Sequence, residues 1–319
     1  MLKYVVKRLV LLIPVLIGVV TIVFILNQLM PGDPARMMAG DGAPEEAVEA
    51  LREEMGLNRP LIVQYIDYIV GIFTRGDLGT SYKTGAPVLT EVIERMPTTL
   101  ILAGISTLIA VGIGIPLGIA AATWQNTFID YFSSCVSFIG VSMPNFWQGL
   151  MNILLFSVYL GWFPSSGFYG PEYWILPCLT VGTSTMATIT RTTRSSMLEV
   201  IRQDYIRTAR AKGMSEYNVI VKHALGNALI PIVTIVGLEF GSLLGGAVLT
   251  ETVFAIPGIG KYMVDAITNR NYPVIMGGVV ILAFIFSVCN LVIDVLYAYI
   301  DPRMKSQYKT KKKKKEAEE

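Results

Sequence analysis

"YIRTARAKGMSEYNVIVKHALGNALIP", residues 205–231, is the most polar and most basic stretch inside an otherwise apolar chain. It lies between two hydrophobic segments, and Gly213 at its centre separates two parts that both carry helical spacing. An ordered polar insert between apolar segments marks a place where the chain leaves the membrane and presents a built surface to water. The reading of everything around it follows from that.

The chain has 319 residues, of which 53% are hydrophobic and 16% charged, with a mean hydropathy of +0.54. Soluble domains carry about a quarter charged residues, so this composition describes an integral membrane protein. Cys135, Cys178 and Cys289 are far apart within apolar segments and read as small buried hydrophobes, without metal-type spacing or a disulfide framework. His223 is the only histidine, which excludes a histidine-based metal cluster and makes an enzyme a poor reading.

About 20 apolar residues cross a bilayer as a helix. Six runs qualify, near 9–30, 98–122, 131–157, 174–190, 228–250 and 274–297. The first follows Lys3, Lys7 and Arg8 but is too long for a signal-peptide core and lacks a small-x-small cleavage site, so it is an uncleaved span. The basic N-terminus, the basic segment 191–223 and the tail "KTKKKKKEAEE" belong on the cytoplasmic side, and the acidic segment 31–97 belongs outside. Six spans with both termini inside satisfy all four signs.

The outer segment carries its own pattern. In "EEAVEALREEMG", Val48, Leu51 and Met55 share one helical face and Gly56 suits a C-cap. "PLIVQYIDYIVGIFTRGD", with Tyr65, Tyr68 and Phe73, is shorter than a span and suits a helix along the outer interface. It either merely caps the spans or touches substrate.

An energy source of the chain's own would require a phosphate-binding loop. "AIPGIGKY" ends in Gly-Lys but lacks a glycine five residues before Gly260 and the following hydroxyl residue, and it lies on the outer side. "GIGIPLG" (112–118) sits inside a span, where Gly114 and Gly118 form a small-xxx-small pair for helix packing. If ATP drives this protein, another chain hydrolyses it.

In the polar insert, Ser196 with Glu199 three residues later reads as a capping box. Leu198, Ile201, Tyr205 and Ala209 then recur on one ridge, with Arg202, Gln203, Arg207 and Arg210 facing elsewhere. Gly213 allows the left-handed conformation that ends the helix, and Ser215 caps a second, shorter helix. The positive-inside rule explains the charge but not two capped helices around a glycine. A docking ledge for a cytoplasmic partner is therefore expected.

This segment resembles the EAA loop of ABC-transporter permeases, in the form used by the peptide and nickel importer family. Its pattern is E-A-A, three residues, Gly, nine residues, then I-x-L-P. Gly213 matches the glycine, Ala209 the second alanine and Leu225 the leucine, while Arg207, Thr208, His223 and Gly226 depart from the pattern. The stretches "MPGDPA" (30–35), "GDLGTSY" (76–82), "PVLTEVIERMPTTLILA" (87–103), "SMPNFWQGL" (142–150) and "ETVFAIPGIGKYMVDAITNRNYP" (251–273) resemble the same family. The chain's length and its outer loop are similar to those of the B-type permease.

The resemblance implies an all-α, type I importer permease fold of six transmembrane helices. It divides into residues 1–30 (N-terminus and first span), an extracytoplasmic helical region 31–97, a permease core 98–300 with a coupling loop at 195–227, and a lysine-rich tail 301–319. It implies a place in a bacterial or archaeal cell membrane, beside a C-type permease subunit, two cytoplasmic ATP-binding subunits and an extracytoplasmic substrate-binding protein. ATP and Mg would bind those partner subunits, with no cofactor, metal or nucleic acid on this chain. Tyr205, Arg207, Ala209, Lys212, Gly213, Met214 and Ser215 would contact the ATPase.

Other expectations are open between two readings. Pro144 should kink the third span, where Asn145, Gln148 and Asn152 share a face that suits either a hydrated peptide path or interhelical hydrogen bonds. Glu239, inside the fifth span, belongs either to the pathway or to a protonated structural hydrogen bond. Pro257, Gly258 and Gly260 form either an outer gate or plain loop punctuation. The tail lysines 311–315 suit anionic lipid or a free tail. Within the family, nickel, glutathione or oligosaccharide import competes with peptide import. An ion-coupled transporter would show inverted repeats and broken helices in both halves, and a membrane enzyme would show a nucleophile, base or metal cluster; neither pattern is present in the sequence.

Overall fold

The computed structural model describes residues 2–29, 32–40 and 42–300. Residues 30 and 31 of the "MPGDPA" stretch and the tail 301–319, with its lysine run, lie outside the described residues. Among the described residues the chain is helical, and pairing of strand type is confined to one isolated bridge between Thr80 and Pro87.

Helix α1 (Leu2–Leu29) leads into a small outer assembly of α2 (Pro34–Ala39), α3 (Glu45–Glu54) and α4 (Leu61–Arg75). Asp33 caps α2, accepting the Ala35 N–H at 3.1 Å, and Pro34 occupies the first turn. Gly56 ends the α3 region at φ +68°, with the Leu57 N–H returning to the Arg52 carbonyl at 3.0 Å. Val48 is buried, as its place on the apolar face requires. Tyr65 ties α4 to α1 through a 2.5 Å hydrogen bond with Thr21 and a ring contact with Phe24. Ile62, Ile66, Val70 and Phe73 form the opposite, exposed face of α4.

Helix α5 (Val88–Thr123) begins ten residues before the apolar run at 98. Its 36 residues make a rod roughly 54 Å long, longer than the hydrocarbon core of about 30 Å, so one end extends into the outer assembly. The third crossing differs from a single span with a kink. It is three consecutive pieces, α6 (Phe128–Ser142), α7 (Asn145–Asn152) and a π-helical turn (Ile153–Tyr159). Pro144, with φ −60° and ψ 133°, stands between the first two as the cap of α7. Proline lacks the N–H that would continue α6, and the residue before it is pushed out of the helical region.

Helix α8 (Ile175–Ile201) follows, then α9 (Asp204–Ala211). Chain 216–253 is helical throughout, as α10 (Glu216–Asn218), a π turn (Val219–Ala224) and α11 (Leu225–Val253); α12 (Ile259–Thr268) and α13 (Tyr272–Ile300) complete the order. Among the described residues, four segments are long and apolar enough to cross a membrane, Val10–Leu29, Val88–Thr123, Glu216–Gly245 and Tyr272–Ile293. The other two of the six spans expected from the sequence fall on the broken third segment and on α8.

Helix α8 is less apolar than a lipid-facing span because its polar residues are buried against neighbouring helices, Thr180 against α7 and Thr190 and Thr193 against α5. Thr180, Thr185, Thr190 and Thr193 are all buried. Thr180 and Thr190 donate to the carbonyls of Leu176 and Met186, one turn back, at 2.8 Å. Small hydroxyl residues also let the helices approach. A Cβ on Gly118 would stand 2.7 Å from the Thr190 carbonyl oxygen, and one on Gly114 would stand 2.9 Å from that of Met186. The Gly114/Gly118 packing pair is thus realised, with α8 as its partner.

Two local expectations change. Ser196 and Glu199 do not begin a helix: α8 runs through them to Ile201, and Ser196 is buried. Burial against the neighbouring helices overrides the capping pattern. Cys135 is exposed rather than buried, whereas Cys178 is buried and Cys289 half-buried.

Candidate functional site

The polar insert forms a ledge at one end of the helix bundle. Gln203 has extended backbone (φ −73°, ψ 150°) and starts α9, and Gly213 ends it at φ +76°. The Gly213 N–H donates to the Arg210 carbonyl at 2.9 Å and the Met214 N–H to that of Ala209 at 3.4 Å. This is the paired closure of a Schellman motif, which satisfies carbonyls that the helix end would leave free. Nothing lies within 4 Å of a Cβ added at Gly213, so only the backbone conformation requires glycine there.

Ser215 occupies the cap of the next helix, but its hydroxyl accepts from the Asn218 amide at 3.0 Å rather than from backbone. That helix is not a separate short element; it runs through the π turn into α11. Arg210 grips Glu216 across the turn, with nitrogen–oxygen distances of 2.5 and 3.1 Å. The guanidinium hydrogen bond holds the Glu216 carboxyl below its ordinary range.

The ledge is joined to the bundle by an apolar underside. Ile206 is fully buried and Ala209 nearly so, in a cluster with Ala122 of α5, Met197 of α8, Val219 and Ile220 of the π turn, and Ala228 and Ile232 of α11. The buried ridge therefore runs through Ile206 and Ala209, while Tyr205 is 43% exposed. Arg207, Lys212, Gly213, Met214, Ser215 and Tyr217 also face outward. Of the seven residues singled out from the sequence, six lie on the exposed side and Ala209 is turned into the chain. Ile206 was missed, although its spacing of three from Ala209 placed it on the same face.

Beside the ledge, Arg194 of α8 clamps Asp130 of α6 with two bonds of 2.5 and 2.8 Å, and the Asn126 N–H adds a third at 3.0 Å. Asp130 is buried, and its partner lies 64 positions away, so no local pattern announced the pair.

At the other end of the bundle, the Pro-Gly-x-Gly turn wraps a buried acid. Glu251, at the last turns of α11, is 0% exposed. Thr99 of α5 donates to its Oε1 at 2.6 Å, and the Lys261 N–H in the first turn of α12 donates to Oε2 at 3.0 Å. The Thr99 hydroxyl in turn accepts the Ile259 N–H at 3.0 Å. The carboxylate thus serves as the missing cap of α12 and ties it to α5. A Cβ on Gly258 would stand 2.2 Å from Glu251 Oε1, and one on Gly260 would stand 2.5 Å from the Val248 Cα. Both glycines are needed for space around the acid and α11, while Pro257 faces outward.

A second tie runs from α12 to α5, where the Tyr262 hydroxyl donates to Glu91 and Arg95 covers the Tyr262 ring at 4.1 Å. Asn271 then binds the "GDLGTSY" stretch, accepting the Tyr82 N–H at 3.1 Å and donating to the Ser81 hydroxyl at 2.9 Å. Glu251 lay in full view in "ETVFAIPGIGK"; nothing in its neighbourhood indicated that Thr99 would meet it.

The pathway residues divide. Asn152 donates to the Thr180 hydroxyl of α8 at 2.9 Å, which is an interhelical bond. Gln148 is buried on the same face, and Asn145 is half-buried. Glu239 of α11 is half-buried. The structure does not bring Glu239 and the amides into one described constellation.

Residues 114–306 match the family described as the binding-protein-dependent transport system inner membrane component, and residues 1–103 match the family of its N-terminal part. The dipeptide transport system permease protein DppB of Alkalihalophilus pseudofirmus is 45% identical over 333 residues, covering 96% of this chain and 100% of the relative. The glutathione transport system permease protein GsiC of Salmonella typhimurium is 45% identical over 305 residues, covering 96% of this chain and 99% of its own. Among solved structures, a chain of the inward-facing MetNI methionine ABC transporter aligns with a TM-score of 0.55 at 19% identity, over 67% of this chain and 97% of that one.

Proposed function

This chain belongs to the family of binding-protein-dependent transport system inner membrane components, and from that premise we propose that it forms half of an import pathway for short peptides. It is a permease subunit of an ABC importer. Its other half is a C-type permease, its motor a pair of cytoplasmic ATPases that hold ATP and Mg, and its supplier an extracytoplasmic binding protein. The chain lies in a cell membrane with both termini inside, with residues 31–97 as the outer region and 98–300 as the core.

The observation that carries the mechanism is the ledge's two-sidedness. Its underside, Ile206 and Ala209, is packed into the ends of α5, α8 and α11, while its outer side exposes Tyr205, Arg207, Lys212, Met214 and Tyr217. Burial of a side chain the size of Ile206 contributes about 1.5–3 kcal/mol, so α9 moves with the bundle rather than against it. An ATPase pushing on the outer side moves three helices as one body. Two relatives of equal identity, one named for dipeptide and one for glutathione transport, support small peptides as the substrate class. The outer clasp at Glu251, Gly258 and Gly260 holds the other end of the path.

The test is to isolate the chain with its native partners, identify the ATPases, and cross-link a cysteine at Met214 to them. Mass spectrometry of the ligand on the co-purified binding protein then decides the substrate. A nickel chelate or oligosaccharide there would overturn the peptide reading, and absence of any Met214 cross-link would overturn the ledge.

A further inference from the structure

Helix α4 meets the bundle below the outer ends of the spans. Tyr65 bonds to Thr21 of α1, and its ring meets that of Phe24 at 5.4 Å. Thr21 lies eight positions before Leu29, where the apolar span Val10–Leu29 ends. At the rise of a helix that is about 12 Å along the span. Further along α4, Tyr68, Ile69 and Ile72 pack against a buried cluster that includes Val20 of α1 and Val280 of α13. Val280 lies eight positions inside the span Tyr272–Ile293, again about 12 Å from its start. Two separate spans thus set the same level for α4, within their apolar length rather than above it.

The helix has three sides at that level. Tyr65, Tyr68 and Ile72 form the side packed on the protein. Gln64, Asp67 and Thr74 form a polar side, where Asp67 pairs with Arg59 at 3.0 Å. The third side is the stripe of Ile62, Ile66, Val70 and Phe73, which holds no titratable group and is 69, 52, 48 and 44% exposed. Over the same stretch of α1, Ile22, Ile25, Leu26 and Leu29 are exposed as well. Both helices therefore turn apolar side chains outward at one level, as a surface against lipid does. The 15 residues of α4 make a rod of about 22 Å, too short to cross a hydrocarbon core of about 30 Å but long enough to lie within one leaflet.

We propose that α4 is seated in the outer leaflet, with Ile62, Ile66, Val70 and Phe73 against lipid acyl chains and Gln64, Asp67 and Thr74 turned toward the headgroups. The inference rests on the membrane placement proposed above and is independent of the substrate. It gives this helix a role besides capping the spans or touching substrate. The cluster under α4 also holds Ile259 and Met263 of α12, the helix that Glu251 caps, so acyl chains packed on α4 support the outer clasp from the lipid side.

The assembled transporter, with its partner subunits, is placed in phosphatidylcholine vesicles with Cys135, Cys178 and Cys289 replaced by alanine. Ile66→Cys then carries a bimane fluorophore. Phosphatidylcholine brominated on its acyl chains should quench most of that emission, whereas aqueous iodide should leave it nearly unchanged. The same fluorophore on Thr74→Cys should show the reverse order. A second measurement leaves the sequence intact: phosphatidylcholine with a diazirine on its acyl chain is irradiated with the unmodified complex, and mass spectrometry should find lipid adducts on the peptide Leu61–Arg75 as well as on Val10–Leu29.

Quenching at Ile66 by iodide and not by brominated lipid would overturn the proposal. So would a fluorophore that loaded binding protein shields from iodide, which would make the stripe a docking face for that protein. Emission indifferent to both quenchers in the complex, but quenched by iodide in the isolated subunit, would assign the stripe to the second permease and overturn the lipid seat. Adducts on α1 without adducts on α4 overturn the seat of α4 and leave the membrane placement standing, whereas absence of both overturns both.

Discussion

Replacing Gly258 by alanine puts a methyl carbon 2.2 Å from Glu251 Oε1 and 2.3 Å from its Cδ and Oε2. That is about 1 Å inside normal contact, so the carboxylate must move by a similar distance. The displacement breaks the 2.6 Å bond from Thr99 and the 3.0 Å bond from the Lys261 N–H. Hydrogen bonds to a charged group contribute about 1.5–3 kcal/mol each, so Gly258→Ala should cost about 3–6 kcal/mol. Glu251→Ala removes the same two bonds and leaves the buried Thr99 hydroxyl and the part-buried Lys261 N–H without their acceptor, at a similar cost.

The two changes together should be far from additive. In the double variant the methyl enters space that the acid vacated, and the two bonds are lost only once. Stability should resemble that of Glu251→Ala alone, giving a coupling of about 3 kcal/mol or more, the upper end for contacting residues. Gly258 has φ −94° and ψ −178°, which is extended backbone open to alanine, so no conformational penalty confuses the steric one. The assay is equilibrium unfolding of the purified subunit in mixed micelles for the four species of the cycle. Additive losses, or a Gly258→Ala protein as stable as the parent, would refute the idea that this glycine exists to make room for the acid.

At the ledge, Gly213→Pro should abolish stimulation of the ATPases by loaded binding protein, because it removes the N–H bonded to Arg210 and forbids φ +76°; Gly213→Asn should retain most of it, since asparagine tolerates that conformation and no atom crowds the site. Ile206→Ala should destabilise the chain by about 2–5 kcal/mol in the same unfolding assay, the range for a fully buried aliphatic side chain. Gly118→Val should impair assembly of the α5–α8 seam, read as loss of folded protein after membrane extraction, because even a Cβ there meets the Thr190 carbonyl oxygen at 2.7 Å. The Arg210–Glu216 pair should add less than about 1 kcal/mol, since both side chains are more than a third exposed. As the Glu216 pKa is lowered in the folded chain, that contribution is present above the ordinary carboxylate pKa and disappears as pH falls through the lowered one, which nuclear magnetic resonance titration of Glu216 would follow.

The broad plan of the molecule was legible in its sequence, because each signal involved was local. Long apolar runs define the crossings, loop charge sets an expected orientation, and Gly213 marks the end of a helix through its own backbone freedom. The same local logic found the Gly114/Gly118 packing pair, and it failed where burial outweighs propensity. Ser196 and Glu199 carry a helix-start pattern inside α8, and packing of that segment against its neighbours overrode it.

What tertiary structure alone decided is which polar groups have partners. Glu251 meets Thr99 across 152 positions, Asn271 meets Ser81 across 190, and Asp130 meets Arg194 across 64. A buried carboxylate or amide must be satisfied, but the sequence states only that need. Its partner is whichever donor the folded helices bring within about 3 Å, and that distance is a property of how α5, α8, α11 and α12 pack together, not of any stretch along the chain.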